Sequence, residues 1–322
     1  MRTYLTPKEV AEAIGVSESS IKRWADTGRI RVNRTAGGHR RISRVEAIRF
    51  VRDNHISVIH PALLGMPDVA SLGPDLPPDS LLADQLYEFL ESGQRTRARG
   101  LVLSLYLQGM DIAEICDGPV REAMHRLGEL WLHTDEGIFI EHRATDICIE
   151  AIEQLRVTVP PSEEGAAPVA LGGAAEHDPY LLPTLMVATV LAGEGYYTVN
   201  LGPNTPVMTL RHACTEYRPD IVWLSVSVDD QPANFVQDLS DFDRHLRSAH
   251  PSTRLIVGGR GTSGLGLRSI PRLSVAGSMN DLAEMARRIA DGMPADRTNG
   301  SPRFRPEMSR AHTEEDDAEM AG

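Results

Sequence analysis

The chain has few cysteines, few aromatic residues and no long apolar run. Its 322 residues include three cysteines, Cys116, Cys148 and Cys214. They are scattered without the paired spacing of a disulfide framework or a zinc site, so reduced thiols are expected. Aromatics make up only 5% of the residues against 41% hydrophobic ones, an ordinary globular profile. No apolar stretch approaches the roughly 18 residues of a membrane span, so none is expected. The opening "MRTYLTPKEVAEAIG" lacks the apolar core of a signal peptide, which points to the cytoplasm. A chain of this length has room for two or three domains, each with its own core.

Positive charge is also scarce, except at one end. The net charge is −12, yet residues 1–60 hold 12 Lys and Arg against 6 Asp and Glu. A basic head on an acidic body fits a nucleic-acid-binding module joined to something else. Within the head, "YLTPKEVAEAIGVSESSIKRWADTGRI" predicts two short helices around a glycine turn. Thr6, Pro7 and Glu9 form a helix-start signal and Gly15 a stop. Ser17 can cap the second helix, whose open face carries Ser19, Ser20, Lys22 and Arg23. This is helix-turn-helix spacing, with those four side chains placed to reach bases or phosphates. In "IRVNRTAGGHRRIS", Ile30 and Val32 alternate with Arg31 as in a strand, Gly37-Gly38 turns the chain, and a second strand returns. The resulting hairpin presents Arg34, His39, Arg40 and Arg41, cations suited to phosphate contact. With "GGHRR" at its wing, residues 1–60 resemble the winged helix-turn-helix of the MerR regulators, which implies double-stranded operator DNA as partner.

Residues 61–79 are rich in proline and glycine and read as a linker. From 80 to 157 the only proline is Pro119 and apolar residues recur at helical spacing, which predicts a bundle of four or five helices. Its stripes are Leu82, Leu86, Phe89 and Leu90; Leu101, Leu105 and Leu107; Ile112 and Ile115; Met124, Leu127 and Trp131; then Ala144, Cys148, Ile149 and Ile152. "WLHTDEGIFIEHRAT" places Trp131 at a helix end, a turn through Gly137, and Glu141-His142 opening the next helix. This pattern resembles the bundle of the CarH/LitR-type photoreceptor repressors, which bind adenosylcobalamin. The resemblance assigns Trp131, Glu141 and His142 to covering the adenosyl group.

From 168 to 292 apolar strands alternate with helices, which predicts a doubly wound parallel sheet. Ligands on such sheets bind at the carboxyl ends of the strands. That edge carries His177 in "GGAAEHDPYLLP", Gly202 and Thr205 in "LGPNTP", Ser225 and Ser227, and Gly258-Gly259. These positions resemble the flavodoxin-like cobalamin-binding domain. In that family a histidine in a D-x-H-x-x-G loop ligates cobalt, which assigns His177 as the metal ligand. The Ser-x-Ser and Gly-Gly segments line the slot for the nucleotide tail. Three positions depart from the family. Ala175 stands where the motif has its acid, with Glu176 beside it, and Tyr180 stands where it has glycine. Leu132, with His133 next to it, stands where light-responsive members can carry a second cobalt-ligating histidine.

The fold class is therefore multidomain: a winged helix-turn-helix, a helical bundle and an α/β doubly wound parallel sheet of flavodoxin-like cobalamin-binding type. The resemblance implies a transcription regulator, a repressor, controlled by adenosylcobalamin and light through a change of homo-oligomer, dimer or tetramer. Light would cleave the carbon–cobalt bond and release DNA. One alternative is a regulator of the same architecture that answers to another tetrapyrrole or to a protein partner. Another is a corrinoid-carrier subunit of a methyltransferase, against which the wing motif argues. No catalytic constellation is present: His212 and Cys214 lie two apart on a helix and do not face each other. The polar tail 293–322 is expected to be disordered.

Overall fold

The computed structural model describes residues 3–72, 76–131, 135–162 and 165–292, and the side chains of 130, 131 and 135 are not described. Leu132, His133 and the tail from 293 lie outside these residues. Three units follow one another. The first contains β1 (Tyr4–Leu5), α1 (Pro7–Ile14), α2 (Glu18–Asp26), β2 (Asn33–Arg34), β3 (Arg40–Ser43) and α3 (Arg44–Asp53), with an antiparallel sheet ordered β1-β3-β2. Helix α1 begins where Thr6 Oγ1 accepts the Glu9 amide while the Thr6 amide donates back to Glu9. Gly15 ends it at φ +69°, a left-handed backbone that glycine adopts without strain. Ser17 caps α2 by accepting the Ser20 amide. Val10, Ile14, Ile21, Ile42 and Phe50 then close a single core. The wing is shorter than the alternation predicts. Asn33 and Arg34 pair with Arg41 and Arg40, whereas Arg31 donates its amide to Glu46 Oε1 on α3 at 2.7 Å. That bond pulls the chain onto α3 and ends the ladder early.

The proline-rich stretch after α3 is not free chain. Leu64 and Met66 are fully buried, and Pro67–Ser71 form a 3-10 helix packed on α5 (Arg95–Leu107). Burying each such side chain contributes about 1.5–3 kcal/mol, which offsets the poor propensity of the segment. Gly100 permits the close approach, because a Cβ there would lie 2.4 Å from the Asp68 carbonyl oxygen. Helices α4 (Leu82–Glu91), α5, α6 (Ile112–Ile115), α7 (Arg121–Trp131) and α8 (Asp135–Arg156) make the bundle, with a π turn over Cys116–Val120 at Pro119. The predicted stripes are its core: Leu86, Leu90, Leu101, Ile115, Leu127 and Ile152 are all buried.

Arg52 fastens the head to this bundle. Its guanidinium donates to the carbonyls of Met110 (2.9 Å) and Gly109 (3.3 Å), pairs with Asp111, and lies 4.3 Å from the centroid of the Tyr106 ring. These groups lie just past the C-terminus of α5, the negative end of the helix dipole. Bonds to a charged donor contribute about 1.5–3 kcal/mol each, so Arg52→Ala is expected to loosen the joint. Limited proteolysis of the full chain should then cut faster between residues 54 and 80. An unchanged cleavage rate would show that apolar packing alone holds the head.

The third unit contains β4 (Val169–Ala174), α9 (Leu181–Gly193), β5 (Tyr197–Asn200), α10 (Val207–Tyr217), β6 (Ile221–Ser225), α11 (Phe235–Ala249), β7 (Arg254–Gly258), β8 (Leu273–Ala276) and α12 (Met279–Asp291). The sheet is wholly parallel and ordered β5-β4-β6-β7-β8. Alternate residues serve two cores. Ile221 and Trp223 of β6 join α9, α12 and the bundle, while Val222 and Leu224 join α10 and α11. Asp117 in the π turn accepts the amides of Met279 and Asn280, both at 2.9 Å, and so ties the bundle to the N-terminus of α12. Among the described residues no helix is long and apolar enough to cross a membrane.

Candidate functional site

Two surfaces carry the candidate residues. On the head, Ser19, Lys22, Arg23, Arg34 and His39 are exposed, and Ser20, Arg40 and Arg41 are half-buried. They are not equivalent. Ser19 and Ser20 hydroxyls bond to Ser17 Oγ at 2.8 and 2.9 Å, within the cap of α2. Lys22 pairs with Glu18 at 2.8 Å, and Arg40 pairs with Asp26 at the end of α2. Arg40 therefore ties the wing to the second helix rather than standing free for phosphate. Arg23, Arg34 and Arg41 have no side-chain partner among the described residues. They are the cations available to DNA at no cost of breaking an ion pair.

The second surface is the carboxyl edge of the sheet. Ala174 donates its amide to Gly202 O and accepts the Thr205 amide, both at 2.8 Å, so the loops after β4 and β5 are laced together. Gly173 must be glycine, since a Cβ would lie 2.4 Å from Thr205 Oγ1. His177 stands exposed on the first loop with φ +68°, and its amide donates to Asn204 Oδ1 at 2.8 Å. Asn204 is left-handed as well, at φ +52°. At the third strand, the Ser227 amide donates to Asp178 Oδ2 at 2.6 Å and the Ser227 carbonyl accepts Arg260 Nε at 2.7 Å. Gly259 at φ +112° lets β7 pass Val226, whose carbonyl oxygen would lie 2.3 Å from a Cβ. Thus His177, Gly202, Thr205, Ser225, Ser227, Gly258 and Gly259 line one continuous edge.

The carboxylate that holds this loop is Asp178, one residue past His177, and not Glu176, one before it. Ala175 is buried and bridged to Thr205, and Glu176 is exposed. Asp178 is fully buried: Oδ1 accepts the Tyr180 amide at 3.0 Å and Oδ2 the Ser227 amide. The Asp-Pro pair just before a helix was the available signal, an Asx turn closing on the residue two places on. Tyr180 adopts φ −84°, so the backbone there has no need of the family's glycine.

The bundle residues are placed differently from expectation. Helix α8 already begins at Asp135, so Gly137 sits within its first turn and Glu141-His142 lie in the second rather than opening it. A glycine costs a helix about 1 kcal/mol, which packing along 22 residues absorbs. Glu141 Oε1 accepts from Thr145 Oγ1 at 2.9 Å, and Glu141 Oε2 lies 3.6 Å from His142 Nε2. His142 is exposed, and Trp131 ends α7 with its side chain outside the description. Burial pushes the three thiols up, Cys148 and Cys214 to about 12, so they are not nucleophiles near neutral pH.

Whether a corrinoid fits this edge can be tested on the side chains present. The His177 imidazole has no hydrogen-bond partner among the described residues. Ser225 Oγ, at the end of β6, is buried and unpartnered, an unmet demand that a polar ligand group would satisfy. Gly202 at φ +84° has open space where a Cβ would stand. Among the described residues no three His, Cys, Asp or Glu gather as a metal site. The donor set fits a cobalamin.

Comparison with known proteins bears on the head and on the bundle. Residues 4–55 match the helix-turn-helix domain family, and residues 82–156, the bundle, match the B12 binding domain family. The HTH-type transcriptional repressor CarA of Myxococcus xanthus is 26% identical over 262 residues, which cover 79% of this chain and 86% of the repressor. Among solved structures, the monomethylamine corrinoid protein of Methanosarcina barkeri shares 17% identity at a TM-score of 0.49, covering 66% of this chain and all of its own. A cobalamin-binding protein of Desulfitobacterium hafniense shares 15% at 0.36, covering 64% of this chain and 98% of its own. The chain thus joins a helix-turn-helix domain to a B12 binding domain and a five-stranded parallel α/β unit, and over most of its length it is similar to a transcriptional repressor.

Proposed function

We propose that this protein is a cytoplasmic transcription repressor that binds operator DNA through its head and adenosylcobalamin between its bundle and the edge of its sheet. The observation that carries the reading is His177, an exposed imidazole held at the carboxyl end of β4 among the loops of β5, β6 and β7. Bound adenosylcobalamin supplies a carbon–cobalt bond that light can cleave. The chain's own residues do the rest. His177 would offer a ring nitrogen to the metal, Ser225 would donate its free hydroxyl, and Gly202, Thr205, Ser227, Gly258 and Gly259 would shape the walls. Trp131, Glu141 and His142 would cover the adenosyl group from the bundle and exclude water. Because Arg52 and the packed linker fix the head on the bundle, and the bundle packs on the sheet, ligand bound at the sheet edge would reach the head through the bundle. Assembly of several chains then presents several heads to DNA, and multivalency raises avidity without new contacts.

The test is DNA binding by the full chain, titrated in the dark with and without adenosylcobalamin and again after illumination, over a range of salt. Specific binding that strengthens at least about tenfold with ligand, roughly 1.4 kcal/mol, and weakens after light is the expected result. Absence of specific binding in every state would sink the DNA reading. Binding that ignores the ligand would leave a regulator that answers to another signal.

A further inference from the structure

The loop that presents His177 is held by two residues, Asp178 and Asn204. Asp178 is fully buried, yet all its polar atoms face backbone. Its amide donates to Ala175 O at 2.9 Å, its carbonyl accepts the Asn204 amide at 2.8 Å, and its two carboxylate oxygens accept the amides of Tyr180 and Ser227. Asn204 returns the contact by accepting the His177 amide on Oδ1. The two residues therefore close a ring through the loops after β4, β5 and β6. Inside that ring sits His177, in a left-handed conformation that a non-glycine residue holds only when its surroundings impose it.

We propose that Asp178 and Asn204 are positioning residues for His177. They hold its backbone left-handed so that the imidazole stands clear of the sheet edge at a fixed height. This claim rests on the proposed cobalamin site and assigns to it the task that a carboxylate bonded to the imidazole performs elsewhere. The ring is oriented here through the main chain, since Asp178 bonds amides and leaves the imidazole unpartnered. Ala175 at the expected acid position is then no defect, because loop and histidine are locked from the other side.

Asn204→Ala removes one acceptor on an exposed loop and spares the buried carboxylate, so the fold should survive. Asn204→Asp keeps the acceptor and tolerates the left-handed backbone. Asp178→Ala is the stronger variant and the one more exposed to misfolding. The first readout is hydrogen exchange of the ligand-free full chain over residues 172–183. About tenfold faster exchange is expected in Asn204→Ala, equivalent to about 1.4 kcal/mol, with near wild-type exchange in Asn204→Asp. The second is cobalamin affinity in a double-mutant cycle with His177→Ala. Asn204→Ala should weaken binding about 10–100-fold when His177 is present and less than about twofold when it is absent. The absorption of the bound cofactor should shift at the same time toward its unligated lower-face form. Equal losses in both backgrounds, or unchanged exchange, would overturn the positioning role. A wild-type chain that retains no cobalamin would overturn the proposed function. The ligand-free exchange then still decides the clamp: acceleration supports it and constancy overturns it.

Discussion

Replacing Arg23, Arg34 and Arg41 together by alanine is expected to weaken operator binding about a thousandfold at moderate salt. His39 apart, the seven other candidate residues of the head divide by what already holds them. Lys22 and Arg40 sit in ion pairs with Glu18 and Asp26, and Ser19 and Ser20 close the cap of α2. The three arginines have no such partner among the described residues, and they lie on the second helix and on both strands of the wing. An arginine reading a base costs about 1–3 kcal/mol when lost, and each lost phosphate contact lowers the salt slope by about one. Three losses near 1.4 kcal/mol give the thousandfold. Fluorescence anisotropy with labelled operator over a salt series measures both quantities. Arg40→Ala should act differently, by freeing the wing from α2, and so should alter hydrogen exchange in residues 30–43 before any DNA is added. A triple variant that binds within tenfold of wild type would show that the head reads DNA elsewhere.

Trp223→Ala is expected to destabilise the α/β unit by about 3–5 kcal/mol. Trp223 is the largest fully buried side chain, at 1% exposure, and its ring packs on Gly172, where a Cβ would lie 2.4 Å from it. Its indole N–H donates to Thr184 Oγ1 at 3.0 Å, and Thr184 in turn donates to Asn200 Oδ1 at 3.0 Å. Asn200 Oδ1 also accepts the Gly202 amide, so the relay ends on the loop that meets Asn204 and Thr205. Truncation opens a cavity beneath α9 and removes the relay's first donor. Trp223→Phe keeps most of the volume and should cost about 1–3 kcal/mol, the share of the lost hydrogen bond and the smaller ring. Urea unfolding of the full chain, followed through the transition of this unit, checks both values. A loss under about 1 kcal/mol for the alanine variant would mean that the strand can repack around the gap.

The strands and helices of the α/β unit were legible because apolar runs of four to six residues alternate with helical spacing between glycine and proline stops. Capping residues told the same story in the head: Thr6, Glu9, Gly15 and Ser17 all do what their types predict. What the sequence concealed depends on partners far along the chain. Leu64 and Met66 look like stray apolar residues in a linker, yet both are fully buried beside the 3-10 turn Pro67–Ser71 that packs on α5, some thirty residues on. Glu46 captures the Arg31 amide and shortens the wing, a tertiary contact that no local alternation encodes. Asp178 reads as loop polarity beside Pro179, and its use depends on the Ser227 amide, 49 positions later. Gly137 reads as a breaker that would put Glu141 at a helix start, yet packing along α8 overrides that propensity.

If His177 ligates a cobalamin, one absorption measurement reports it. The full chain is incubated with adenosylcobalamin in the dark, desalted, and its visible spectrum recorded before and after illumination, beside His177→Ala treated identically. Wild type should retain the cofactor with a ligated lower face and change its spectrum on illumination, and the variant should hold it unligated or lose it. A wild-type chain that emerges colourless, or a variant with the same spectrum as wild type, would contradict ligation by His177.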